Sequence, residues 1–410
     1  MKKDEFIEVL DIGSEKVVCV VGKVVENDIH IIGLAEHTSE GLERGVIKSI
    51  DKTAETIQKV VEEVEQQVGR RIKKVHIGIK GEHIETTRVR SIINISRTNK
   101  EITEDDKNQV LYSVKNQVSV GEDKNILKII PITYSVDGQS GMLDPKGMEA
   151  SQLEIEAYVV TAATIVLNNL YKAVNNAGFK ITSVSYNQIA LADVCLVPEE
   201  KEVGVLLIDI GSNLTDISVY KNKRVFFNKE LPIGGDLIVS DVSFGLRTSI
   251  VRARELVKQY GLAYFPKDAE DFEIKFLAVD GITERRVTQY SLTEIINARV
   301  EEIFGIIVAE LDRNDINYNI PAGIVVTGGT AKLKYIEDVA KEKLNIPVRK
   351  GLVQNMQGIE DAISDMSYNT AIGLVNYLHQ TASFDKQLFT YSRKKVPIFL
   401  NLKRKLEKVF

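Results

Sequence analysis

Short β-branched apolar blocks stand at residues 6–10, 17–21, 75–79, 205–208, 217–220 and 323–326, each bounded by Gly, Asp or Lys. Blocks of that length and composition predict strands. Between them, apolar residues recur every three or four positions over 52–68, 104–117, 163–176, 251–260 and 292–311. That period predicts amphipathic helices. Thr103 followed by Asp106 fits a capping box at the start of the second helix. Strands interleaved with helices predict α/β domains. A chain of 410 residues has room for two to three of them.

One pattern occurs twice. The run from Ile7 to Ser14 ends in Asp-Ile-Gly-Ser, and the run from Val205 to Ser212 ends the same way. In each copy a strand leads in and a β-rich segment follows, which predicts one α/β domain in each half. The spacing is far too long for a solenoid.

Composition narrows the class. With 44% hydrophobic and 27% charged residues the chain is globular rather than disordered. The net charge of -5 argues against a nucleic-acid partner. Charge is uneven, however: residues 393–410 hold seven Lys/Arg and one Glu, so the rest carries -11. An acidic body with a basic tail points to an anionic partner for the tail. Cys19 and Cys195 both lie in apolar segments and read as buried thiols, not a disulfide framework. The N-terminus lacks a signal-peptide core and no run of about 18 apolar residues occurs, which sets the expectation of a cytoplasmic protein. The five His have no ligand-like spacing, so no metal cage is expected.

The repeated turns carry the candidate chemistry. Gly13 and Gly211 permit close backbone approach to an anion. Asp11 and Asp209 suit a hydrated divalent cation that offsets phosphate charge. Ser14 and Lys16 would bond phosphate oxygens from one side, with Ser212, Asn213 and Thr215 from the other, and Glu15 is a further candidate nucleotide-binding residue of the first turn. A single copy reads better as an ordinary hairpin; two copies on similar strands reverse that preference. Thr327-Gly328-Gly329-Thr330 follows a buried strand and would let a flat base lie on bare backbone. Gly234-Gly235-Asp236 is a second such pair. Glu255 and Lys258 share a helix face, either to grip a ribose and base edge or as a solvated ion pair.

In this order the motifs resemble the actin, hexokinase and heat-shock ATPase superfamily. Within it the chain resembles the FtsA family of bacterial cell-division proteins, on the stretch from Val136 to Met148 followed by Leu153-Glu154, on Ala322 to Gly329 and on Tyr368 to Leu374. The resemblance covers nearly the whole chain. It implies an α/β actin-like ATPase fold of two duplicated domains sharing a nucleotide cleft, with an inserted α+β subdomain. The implied divisions are 1–81 and 163–204 for subdomain 1A and 82–162 for the insert 1C. Residues 205–233 and 321–355 would form 2A, 234–320 would form 2B, and 356–378 would return to 1A. The implied cofactors are ATP and Mg. The implied partners are the tail of the tubulin-like protein FtsZ, further copies of the chain in a filament, anionic membrane lipids and later division proteins. The implied location is the cytoplasmic face of the cell membrane at the septum. By its place before Ile189, Asn187 falls where the superfamily orients the attacking water. Asn is shorter than Gln and cannot act as a base, so hydrolysis is expected to be slow at most; a helix N-cap is the other reading. Arg299 and Glu302 lie on the helix that resembles the FtsZ-receiving segment, with a solvated charge pair as the alternative.

The tail can be read physically. Residues 379–396 are a polar linker, and Pro397 opens the segment 397–410. On a helix, Ile398, Phe399, Leu402, Leu406, Val409 and Phe410 fall within about 120° of arc. Lys403 and Lys405 flank that arc and Lys408 lies across from it, the pattern of an in-plane membrane helix. Leu400 falls on the polar side, and packing on the body is the competing reading. FtsA proteins likewise end in such a helix. Two other functions remain in view, a small-molecule kinase and a chaperone-like ATPase. No sugar-site signature supports the first, and about 30 residues after the core are too few for a substrate domain.

Overall fold

The computed structural model describes residues 5–381 apart from 27, 97–98, 119–120, 122 and 317–319. The segment 397–410 and most of the expected linker lie outside the described residues. The helix Asn369–Thr381 runs three residues into that linker.

Each strand and helix predicted within the described residues is present, most with shifted ends. The strand expected at 6–10 continues as Phe6–Ile12, because Ile12 still buries its side chain beyond the polar Asp11. Helix Glu104–Gln117 has the expected bounds. Its cap is the expected box: Asp106 Oδ2 accepts from Thr103 N at 2.8 Å and from Thr103 Oγ1 at 2.7 Å. The helix expected at 292–311 is longer, Gln289–Arg313, because Thr288 caps its start by accepting from Ser291 N.

The main sheets repeat one arrangement. In the first, the order is Lys180–Tyr186, Lys74–Ile79, Phe6–Ile12, Lys16–Val25, Asp28–Thr38 and the short Gln357–Gly358. In the second it is Val348–Lys350, Ile324–Thr327, Val205–Ile210, Thr215–Lys221 and Arg224–Leu231. The strand before each Asp-Ile-Gly-Ser turn pairs antiparallel with the next strand and parallel with a later one. The two turns therefore open at equivalent ends of equivalent sheets.

Helices cover both sheets. Ile50–Val68 starts on Ser49, whose hydroxyl accepts from Lys52 N, and stops at Gly69 in the left-handed region. Its Ile57, Val60, Val61 and Val64 are fully buried against the first sheet. Gln289–Arg313 does the same for the second half through Leu292, Ile296, Phe304 and Ile307. The halves are joined where Asn187–Cys195 crosses Asn369–Thr381. Gly373 permits that crossing: a Cβ there would stand 2.5 Å from the Ala190 carbonyl oxygen.

A third, four-stranded sheet lies between residues 84 and 163, in the order Ile84–Asn94, Gln152–Ala163, Lys124–Val136, Gln139–Met142. Val110 and Val114 of helix Glu104–Gln117 are buried against it. Pro131 has no N–H to give the ladder, and the register slips beside it, between Glu156 and Ala157.

Candidate functional site

The two turns close with the same bond. Gly13 N donates to Lys16 O at 3.0 Å, and Gly211 N donates to Leu214 O at 2.9 Å. Around the second turn, Gly235 N and Thr330 Oγ1 each reach Gly211 O at 2.9 Å, and Asp236 N reaches Ser212 O at 2.7 Å. The Gly234, Gly329 and Gly211 loops are thus one bonded unit. Small residues are required there. A Cβ on Gly235 would lie 2.3 Å from Thr330 Oγ1, and one on Gly234 would lie 2.5 Å from Ser212 O. Gly328 holds φ at +93°, and a Cβ would lie 2.3 Å from Asp209 Oδ1.

The first turn is tied into its own half. Ser14 Oγ accepts from Gly45 N at 3.1 Å. Lys16 bonds Glu36 and, at 3.0 Å, Ser367 Oγ, with its ammonium 3.9 Å from the centre of the Tyr368 ring. Glu15 faces the other half, where Arg254 bonds it at 3.3 Å and Asp236 at 2.7 Å. Asn213 Nδ2 reaches Asp236 Oδ2 at 2.6 Å. Thr215 is fully buried, and its hydroxyl donates to Ile233 O at 2.9 Å, fixing the entry to the Gly234 turn. Glu255 and Lys258 are exposed, and Glu255 bonds Arg252 at 2.6 Å.

Carboxylates gather at the bases of both turns. Asn187 is the first residue of its helix, not the cap, and its Nδ2 donates to Asp11 Oδ1 at 3.0 Å. Asn187 Oδ1 is buried without a partner. Lys80, just past the strand Lys74–Ile79, reaches across to Asp209 Oδ2 at 3.1 Å and Asp216 Oδ2 at 3.4 Å. Glu230 Oε2 accepts from Gly81 N at 2.9 Å.

Burial and mutual repulsion set the charges. Burial raises the Asp11 carboxyl above its ordinary range, opposed by Lys80 and the Asn187 bond. Burial pushes Asp216 up to about 6, with Lys80 opposing and Asp209 adding to the rise. Burial and the neighbouring Asp216 hold Glu230 well above the usual carboxylate range. Burial works against the Lys80 charge, but attraction by Asp209, Asp216 and Asp11 outweighs it and holds the ammonium above the ordinary lysine range.

The donor set is compatible with a hydrated Mg2+, which keeps several waters and needs one or two carboxylates; Asp11 and Asp209, at the two turns, would supply them. Sequence reasoning missed Lys80, Asp216, Glu230 and Arg254. Asp216 had a signal: it is a charge inside an otherwise apolar strand, and it pairs in register with Asp209.

The pair proposed for a partner segment is also engaged. Arg299 Nε and Nη2 grip Asp241 at 2.5 and 3.0 Å, and Nη1 meets Glu302 at 2.5 Å. The fork ties Gln289–Arg313 to the helix Gly235–Leu246. Cys19 and Cys195 are free and buried.

Comparisons with known proteins agree with this fold. The family model described as "Cell division protein FtsA" matches residues 206–373, and "SHS2 domain inserted in FTSA" matches 81–161. The cell division protein FtsA of Pseudomonas aeruginosa is 32% identical over 402 residues, covering 96% of each chain. That of Bacillus subtilis is 34% identical over 383 residues, covering 93% of this chain and 85% of its own. Among solved structures, the PilM-PilN type IV pilus biogenesis complex matches with a TM-score of 0.66 at 12% identity, over 90% of this chain and 98% of that one. MreB5 of Spiroplasma citri bound to ADP matches with a TM-score of 0.58 at 12% identity, over 93% and 98%. These likenesses give the fold, which is actin-like. Paired turns on repeated sheets, the inserted sheet and these relatives together place the chain in the FtsA family of cell-division proteins.

Proposed function

We propose that this chain binds ATP with Mg2+ between its two Asp-Ile-Gly-Ser turns, polymerises on the cytoplasmic face of the membrane, and there anchors the FtsZ ring and recruits later division proteins. The observation that carries the reading is the pair of equivalent turns, each closed by the same Gly N–H bond and each with an aspartate at its base. Gly13, Ser14, Gly211 and Ser212 would cradle phosphate, and Gly234, Gly328 and Gly329 leave room for the nucleoside. Mg2+ at Asp11 and Asp209 would neutralise phosphate charge. Asn187, bonded to Asp11, would orient water; its carboxamide is not a base, so turnover is slow. The divisions at 1–81, 82–162, 163–204, 205–233, 234–320, 321–355 and 356–378 remain our assignment of subdomains. Membership of the FtsA family favours this reading over a kinase or a chaperone.

Membrane attachment would come from 397–410, with Ile398, Phe399, Leu402, Leu406, Val409 and Phe410 in the acyl boundary and lysines at anionic headgroups. One such helix binds reversibly; a filament presents many, and avidity makes attachment durable. Arg299 and Glu302 are the candidate contacts for the FtsZ tail. The test is titration of fluorescent ATP into the full chain with Mg2+. Saturable binding displaced by unlabelled ATP is expected, tighter than about 1 mM. No displacement at that concentration would overturn the nucleotide reading.

A further inference from the structure

We propose that Lys80 is a resident counter-cation, whose ammonium holds Asp209 and Asp216 and so admits a divalent cation only together with nucleotide phosphate. The inference rests on the nucleotide reading above and adds a gate to that site. Lys80 belongs to the first half of the molecule, yet its Nζ contacts two carboxylates of the second, 3.1 and 3.4 Å away. The same atom would lie 3.4 Å from a Cβ on Gly211, so it sits at the second phosphate turn itself. One of Asp209's oxygens is thereby committed to an ammonium where a cation-bound water would otherwise be held.

A second observation points the same way. Asp216 is 2% exposed, and its Oδ1 has no hydrogen-bond partner. Asp216 thus keeps an unused acceptor oxygen on the carboxylate that Lys80 holds. A divalent cation arriving alone meets Lys80 and must work against like charge. Phosphate arriving with it supplies the anion that repays displacement of the ammonium from Asp209. Mg2+ occupancy then reports nucleotide, not free Mg2+.

The test uses Mn2+ as the probe, read by the paramagnetic resonance of the free ion, with the full chain. Without nucleotide, the wild type is expected to retain no Mn2+ tighter than about 1 mM. Adding ATP should bring one Mn2+ per chain. Lys80→Met should bind Mn2+ without nucleotide, at least about tenfold more tightly than wild type, since a cation is removed beside the site. Lys80→Arg should behave as wild type. If Lys80→Met does not fold, Lys80→Gln keeps polar contact without charge and asks the same question. Two metal-only results would overturn the proposal: a submillimolar Mn2+ site in the nucleotide-free wild type, or equal Mn2+ affinity in the wild type and the neutral variant. Wild type that binds ATP but takes no Mn2+ with it would also overturn the gate while leaving the nucleotide reading intact. Absence of ATP binding fails the nucleotide reading, and the metal-only arms still report on Lys80.

Discussion

Gly328→Ala tests whether close approach at the second aspartate sets the shape of the cleft. Gly328 and Gly178 have nearly the same φ, +93° and +92°. They differ in surroundings. A Cβ on Gly178 meets nothing within 4 Å, whereas one on Gly328 would stand 2.3 Å from Asp209 Oδ1 and 2.6 Å from Ile210 O. Left-handed strain alone costs roughly 1–2 kcal/mol, so Gly178→Ala should lose about that much. Gly328→Ala pays the same strain plus overpacking of roughly 1–3 kcal/mol. A backbone carbonyl of the Asp-Ile-Gly-Ser turn cannot step aside as a flexible side-chain tip can. The excess should therefore move Asp209 and the turn. The assay is paired thermal melts with ATP titration of both variants. A multidomain chain does not melt in one step, so the ordering of the midpoints is the readout. Gly178→Ala should keep wild-type ATP affinity while Gly328→Ala loses at least about tenfold, the equivalent of 1.4 kcal/mol. Equal melting points and equal ATP affinity in the two variants would refute the reasoning.

Further outcomes follow from the same structure. Burial lowers His76 and His83 to about 4, so each stays neutral in the fold while the unfolded chain takes up a proton near pH 6.5. Their contribution is complete above about pH 6.5 and declines as pH falls toward 4, by up to about 1.4 kcal/mol per unit each. Melting curves of His76→Gln should show a shallower acid decline than wild type; an identical slope would count against this. Arg299→Ala and Asp241→Ala should show a coupling of about 1 kcal/mol in a double-mutant cycle, since their fork is only partly buried. An FtsZ tail peptide should lose affinity for Arg299→Ala and keep it for Asp241→Ala; the reverse would move the contact elsewhere. Asn187→Asp places a second carboxylate against Asp11, so one of the two must hold a proton near neutrality. Its single-turnover hydrolysis should gain a steep pH dependence that wild type lacks, and an unchanged profile would remove Asn187 from the reaction.

The turns were legible because their signal is local. Asp-Ile-Gly-Ser repeats in sequence, and its Gly closes the same bond in both places. The capping box of Glu104–Gln117 was legible for the same reason, since Thr103 and Asp106 are three residues apart. Lys80 and the reach of Arg254 to Glu15 were not, because those partners lie 129 and 239 residues away and only the folded cleft brings them together. The strand Lys124–Val136 was hidden by its interior Pro131, which a ladder slip accommodates. Arg299 and Glu302 were read as a pair on one helix; that the same guanidinium also grips Asp241 on another helix depends on packing.

Co-sedimentation with anionic liposomes tests whether nucleotide, filament and membrane act together in this chain. The full chain and a chain ending at Val396 are compared with and without ATP. The ATP-loaded full chain should sediment with liposomes while the shortened chain stays in the supernatant. Equal sedimentation of both chains with lipid, or no response of either, would contradict that joint action.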